Sequence, residues 1–224
     1  MAADTVLTAG IAIGTTSIKG VVAAADGTVV ARTRRTHAVD AHDAATLAHD
    51  AADVWYHGVR EVWAELSAFG PITAVTVSAM VPSITPVGTD GVPIGPGLLY
   101  GDERGSATPS PHGELGELAA FAEWAARAYP DAAGYWPAQA VANAALTGTG
   151  AVDSVMAIMA SPLSDGAAWD PGACISIGAR PDQFPVVGPG QDAIGTVEGA
   201  GVNSGTINTL AEKLVASADA VGDA

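Results

Sequence analysis

Hydrophobic positions fall first into short β-branched runs and later into helical spacing. Val6–Ile13 and Ile18–Ala25 are apolar, and Gly14-Thr15-Thr16-Ser17 between them has the make-up of a tight turn. Asp26-Gly27 is a strong hairpin signal, so Thr28–Arg34 is expected as a third strand and the opening as a three-stranded antiparallel meander. The polar, Ala-rich stretch His37–Asp53 leads into a helix on which Trp55, Val59, Val62, Trp63 and Leu66 recur at three- and four-residue steps, and Gly70-Pro71 stops it. Ile72–Val77 reads as a buried strand. Ser83–Val87 and Leu98–Tyr100 read as further strands, with the turn Thr89-Asp90-Gly91 after the first of them.

After Thr108-Pro109-Ser110-Pro111 the pattern becomes helical. Leu115, Leu118, Phe121, Ala122 and Ala125 mark a helix ending before Pro130, and Pro137–Leu146 marks another with proline in its first turn. Ala151–Pro189 reads as irregular with short helical pieces, and Ile207, Leu210, Ala211 and Leu214 as a closing helix. There is no internal repeat. Strands first and helices later predict an α/β fold with a mixed sheet, one domain over residues 1–224 with a helical subregion at about 109–190.

Composition narrows the partners. A chain of 224 residues, 49% hydrophobic, buries a real core and is neither disordered nor fibrous. Its 24 acidic against 9 basic residues give a net charge of −15, which repels phosphate backbones and anionic lipid, so no nucleic acid and no membrane is expected as partner. Met1–Thr16 lacks the basic start of a signal peptide. The uncharged stretches Gly70–Thr89 and Ala132–Val152 are broken by proline and polar residues and read as soluble core. Cys174, the one cysteine, excludes a disulfide framework, is read as buried, and fits a reducing, cytoplasmic setting.

Candidate chemistry is sparse. Gly14 lets the backbone turn tightly, and the hydroxyls of Thr15, Thr16 and Ser17 with the turn amides make a candidate anion nest; an ordinary Thr-rich hairpin turn has the same composition. It is not a P-loop, because no Gly-Lys-Ser/Thr opens a helix. Tyr100, Asp102 and Arg104 together suit a polyol, the ring against a carbon face and the charged groups on hydroxyls; the alternative is a surface salt bridge. His37, His42, His49 and His57, near Asp43, Asp50 and Asp53, match no metal-ligand spacing and read as solvated residues around a helix start. Trp55 and Trp63 read as core.

The stretch Ala9–Gly20 resembles the opening of the FGGY family of carbohydrate kinases, whose pattern is Gly-Ile-Asp-x-Gly-Thr-Thr-Ser-x-Lys. Further segments resemble the family in order: Val75–Ser78 with the Asp90-Gly91 turn, and Leu98-Leu-Tyr-Gly-Asp-Glu-Arg104 against Trp-x-Asp-x-Arg. Gly134–Pro137 through Leu146-Thr-Gly148, Trp169-Asp170, Ile177-Gly178, Phe184-Pro185 and Ile194-Gly195-Thr196 follow. The resemblance runs over nearly the whole chain. It implies an actin-like, RNase H-like fold, the sugar-binding N-terminal domain of two, and phosphoryl transfer from ATP, with Mg, to a sugar or polyol hydroxyl. It implies phosphate binding by Gly14, Thr15, Thr16, Ser17 and Lys19, and substrate binding by Met80, Tyr100, Asp102 and Arg104. Family chains are much longer, so the nucleotide-binding C-terminal domain is expected to lie outside these residues, with a separate C-terminal-half chain or a homodimer as candidate partner.

Two positions depart from the family. Ala12 stands where the family has an Asp that organises magnesium, and a methyl group cannot hold a hydrated cation. The family's general base, the Asp of a Gly-x-x-Asp segment, aligns with Asn208 in Ser204–Ala211. Gly188-Pro-Gly-Gln-Asp192 is an alternative alignment, with Asp192 as the base. An amide oxygen accepts a hydrogen bond but takes no proton near neutral pH, and losing a general base costs ~10²–10⁴ in rate. The expectation is a sugar-binding half that is inactive alone, against a regulatory sugar binder or one half of a split kinase. Met80-Val81-Pro82 sits where pentulose kinases of the family carry Gln-Met-His, so a pentulose is not assumed.

Overall fold

A computed structural model describes residues 6–105, 115–188, 190, 192–197 and 200–203. β1 (Leu7–Ile13), β2 (Ser17–Ala24) and β3 (Val29–Thr36) form the expected antiparallel meander. Its second turn needs Gly27 in the left-handed region (φ 85°), and the Asp26 carboxylate accepts from the Thr28 amide at 2.9 Å. That bond holds the Asp26 carboxyl below the usual range.

After β4 (Ala48–His49) the chain winds as a π-helix over Ala52–His57 and continues as α1 (Gly58–Ser67). α1 lays Val59, Val62, Trp63 and Leu66 on the meander, and β5 (Ile72–Ala79) then returns parallel to β1. Close approach of α1 requires Gly20 on β2, where a Cβ would lie 2.8 Å from Val62 Cγ1 and 2.9 Å from Leu66 Cδ1. β6 (Ser83–Val87) and β7 (Gly97–Leu99) follow, then α2 (Glu117–Ala128), β8 (Gly134–Trp136) and α3 (Ala138–Thr147). β9 (Ala151–Asp153), α4 (Ser154–Ile158), α5 (Pro171–Ser176), a 3₁₀ turn at Pro181–Gln183, β10 (Val186–Gly188), β11 (Ala193–Val197) and β12 (Ala200–Asn203) complete the described elements.

The main sheet has the order β11-β12-β5-β1-β2-β3, parallel from β12 through β5 to β1 and antiparallel on both flanks. A second sheet has the order β4-β7-β6-β8, and β9 pairs with β10. Two cores result. One packs Ile11, Ile18, Trp55, Val62 and Val77 between the main sheet and the helices; the other packs Phe121, Tyr135, Met156, Leu163, Cys174 and Phe184. α3 serves both. No residue from Ala138 to Leu146 is exposed, Val141 and Ala142 join the first core and Ala140 the second, and Gly148 (φ 80°) ends the helix. Burial raises the Cys174 thiol to about 11, which makes it an inert packing group.

Several expectations are corrected. The third strand of the second sheet ends at Leu99, leaving Tyr100 in a turn with Gly101 at φ 83°. The stretch read as irregular supplies β9 and β10, and β11 and β12 join the main sheet with no strand expected there. These strands are three to five residues long, too short to show a two-residue period. The Pro-rich segment at 108–111 and the closing helix at 207–214 lie outside the described residues.

Gly97 on β7 meets the ring of the fully buried Trp55, and a Cβ there would stand 2.3 Å from Trp55 Cη2. Gly97→Ala is therefore expected to destabilise the fold by about 1–3 kcal/mol, the cost of overpacking a closed core. Urea unfolding checks this; an unchanged midpoint would mean that Trp55 can move aside.

Candidate functional site

β1 and β5 run parallel and end together, Ile13 opposite Ala79. Ligand sites in open α/β sheets form outside the carboxyl ends of such strands. Here the Gly14–Ser17 turn leaves one strand and Met80 the other, and the Met80 amide donates to the Ile13 carbonyl at 3.0 Å. Other turn carbonyls are tied as well: Ser17 O accepts from Gly14 N (3.0 Å), Thr16 O from His37 N (3.1 Å) and Thr15 O from His49 Nε2 (2.8 Å).

An open pocket of about 470 Å³ lies over this turn, lined by its four residues and by Ala12, Ile13, Lys19, Arg34, Ser78, Ala79 and Met80. Strand register explains four of these. Ser78 pairs with Ala12, Ala12 with Lys19, and Lys19 with Arg34, so the four stand in one row across β5, β1, β2 and β3. The turn residues Gly14, Thr15, Thr16 and Ser17 thus share a cavity with Lys19, Met80 and the methyl of Ala12.

His49 is not the solvated residue its polar neighbourhood implied. It is 1% exposed, and its Nδ1 lies 2.9 Å from Trp55 Nε1. Indole N–H only donates, so Nδ1 must accept and the proton sits on Nε2, where it reaches Thr15 O. Accepting at Nδ1 requires a neutral ring, whereas the bond to Thr15 O is open to either form. Burial lowers its pKa to about 4, against the opposing pull of the Thr15 carbonyl, and the neighbouring His37 lowers it further. His37 packs edge-on at 4.5 Å and is itself shifted down, chiefly by burial.

Tyr100 reaches the rim of the site, its hydroxyl 3.4 Å from Thr15 Oγ1. Asp102 and Arg104 do not line the pocket. The Asp102 side chain is fully buried, and its oxygens accept from Leu47 N (2.9 Å), Arg104 N (3.0 Å), Arg104 Nε (2.9 Å) and Arg104 Nη2 (2.6 Å). Burial pushes its carboxyl up, but the bonds from Arg104 and Leu47 outweigh that and hold it below the usual range. The pair is thus neither a surface salt bridge nor a carboxylate offered outward. Asp102 fixes the guanidinium, which stacks over Trp124 at 5.3 Å and stays partly exposed.

Asp192 is exposed in the bend before β11 and does not line the pocket. Ala193 pairs with Asn203 at the end of β12, so Asp192 is at the same end of the sheet as the turn but three strand spacings from β1, roughly 14 Å. Asn208 lies outside the described residues. Sequence reasoning missed Arg34, Ser78 and His49. A hairpin centred on Asp26-Gly27 already pairs Lys19 with Arg34, whereas nothing local pointed to His49.

The pocket does not fit magnesium. Among the described residues its lining holds no carboxylate and two cations, and no cluster of His, Cys, Asp or Glu is arranged to hold a metal ion. No helix of the described residues is long and apolar enough to cross a membrane.

No protein-family model and no curated protein matches the chain. Solved structures do. Gluconate kinase from Lactobacillus acidophilus matches over 90% of this chain and 48% of its own, with a TM-score of 0.76 at 16% identity. Xylulose kinase from Rhodospirillum rubrum matches over 89% and 49%, with a TM-score of 0.75 at 21% identity. Plasmodium falciparum glycerol kinase, solved with ADP, matches over 89% and 48%, with a TM-score of 0.73 at 13% identity. The chain spans about half the length of these structures. The fold is therefore the actin-like α/β fold of carbohydrate kinases, as the sequence resemblance implied.

The neutral His49 sets a pH dependence. Its folded pKa lies below the unfolded value, so the unfolded chain binds more protons in the window between them. Stability is full above pH 6.5 and falls as pH drops toward about 4, by at most roughly 3 kcal/mol. His37 adds in the same direction. NMR titration should find the His49 ring as the Nε2–H tautomer down to pH 5, and His49→Gln should flatten the stability profile between pH 7 and pH 5. A His49 titrating near its ordinary value would show that the Trp55 and Thr15 bonds do not hold.

Proposed function

We propose that the chain is the sugar-binding domain of an FGGY-type, ATP-dependent carbohydrate kinase, cytoplasmic, and that it binds its sugar or polyol without transferring phosphate by itself. The observation carrying this is the meeting of the Gly14–Ser17 turn, Met80 and Tyr100 at the carboxyl ends of β1 and β5, on the fold of sugar kinases. On this reading Gly14, Thr15, Thr16, Ser17 and Lys19 face a phosphoryl group, and ATP, when bound, supplies it. Tyr100 lays its ring on the carbon face of the sugar and Met80 closes the pocket from β5; Arg104, held by Asp102 outside the pocket, is not assigned a contact with it.

The weakness of the chemistry has a stated cause. Ala12 puts a methyl group beside Lys19 where a carboxylate would organise a cation. Asn208 at the base position accepts a hydrogen bond from the sugar hydroxyl without removing its proton; Asp192 is the alternative base.

Calorimetric titration with pentoses, pentuloses and polyols tests the binding. One class is expected to give saturable heat, weakened about two- to tenfold by Tyr100→Ala, since an aromatic contact is worth about 0.5–1.5 kcal/mol. The same samples with ATP and Mg should form no sugar phosphate. A panel without binding would overturn the sugar site, and sugar phosphate formed at ordinary kinase rates would overturn the catalytic impairment.

A further inference from the structure

The pocket over the turn carries the wrong sign of charge for a cation and the right one for an anion. Lys19 and Arg34 sit directly opposite each other on β2 and β3, and like charges in that relation repel. Arg35, next along β3, is held by Asp53 at 2.8 Å and Glu61 at 2.6 Å. The Arg34 side chain makes no hydrogen bond or ion pair among the described residues and lines the pocket instead. The carbonyls of Ile13, Thr15, Thr16 and Ser17, which could otherwise ligate a metal, each already accept a hydrogen bond from an N–H of the protein. Ala12, at the centre of the row, adds no charge. In a chain of net charge −15, a lining that includes Arg34 and Lys19 above a turn rich in hydroxyls favours an anion.

We propose that this pocket binds a phosphoryl group, or an equivalent tetrahedral oxyanion, directly on Arg34, Lys19 and the turn hydroxyls, with no divalent cation. The inference rests on reading Gly14–Ser17 as a phosphate turn and adds Arg34 and metal independence to it. Ala12 is then the residue that permits the arrangement: an aspartate at this position would repel the anion and demand a metal to bridge the two. Guanidinium and ammonium donors are suited to phosphate oxygens, and binding through them weakens as salt rises.

The test is calorimetry of the full chain with inorganic phosphate in chloride buffer, in EDTA and again with magnesium. Equal affinity in the two conditions is expected, falling with ionic strength. Arg34→Glu should weaken binding at least about tenfold, as expected for a lost charge-assisted hydrogen bond. Arg127→Glu on α2, far along the chain and outside the pocket, should leave binding unchanged. Ala12→Asp should abolish binding in EDTA and restore it in part with magnesium. ADP and a sugar phosphate as further titrants name the source of the phosphoryl group, and either order of affinity upholds the site. Phosphate binding by the natural chain only with magnesium would overturn metal independence while leaving the phosphate turn standing. Phosphate binding undiminished in Arg34→Glu would remove Arg34 from the site. No phosphate binding in either condition would overturn both the inference and the phosphate turn, with the sugar titration still deciding the sugar site separately.

Discussion

The carbonyl oxygens of Ile13, Thr15, Thr16 and Ser17 are anchored by donors from four places: the end of β5, the residue after β3, the buried histidine of β4, and the turn itself. Each such bond is worth only about 0.5–1.5 kcal/mol net. Their effect is geometric. Because the donors come from separate segments, the turn cannot shift without disturbing the meander, β5 or the first core. His49 extends the linkage: it is held by Trp55, whose ring packs against Gly97 of β7, and β7 leads into Tyr100, which returns to Thr15. The rim of the pocket and its floor thus belong to one closed circuit of contacts running through both sheets.

What the sequence made legible was whatever is encoded over short distances. Asp26-Gly27 carries the meander, the three- and four-residue spacing from Trp55 to Leu66 carries the π-helical turn and α1, and Pro137 with Gly148 brackets α3. The turn and Ala12 were legible too, because they sit within one hairpin. The remaining parts of the site depend on contacts between distant segments. His49 looked polar and solvated because its neighbours along the chain are, yet its ring enters the core through a partner six residues on and another thirty-four residues back. Asp102 shows the same limit. Its type and spacing suit a ligand contact, and only its position against the amide of Leu47 shows that its lone pairs are spent inside. β11 and β12 were illegible because glycine and threonine occupy places where a longer strand would show alternation.

Identities of 13–21% to solved sugar kinases fix the fold and leave the chemistry to be judged from the pocket itself. The described lining of that pocket carries positive charge from Lys19 and Arg34. The parallel strands β1 and β5 end side by side, the turn closes over them, and the row Ser78, Ala12, Lys19, Arg34 is neutral or positive throughout.

β3 has one more property. It is the last strand of the main sheet, and no described strand pairs with its outer edge. An open edge is a ready template for a second copy of the same strand, and charged side chains are a common barrier to that. Arg32, Arg34 and Arg35 lie along this one. Charge of this kind on an open edge disfavours pairing with a second copy, and Arg34, the one of the three that lines the pocket, would serve both there and toward an anion.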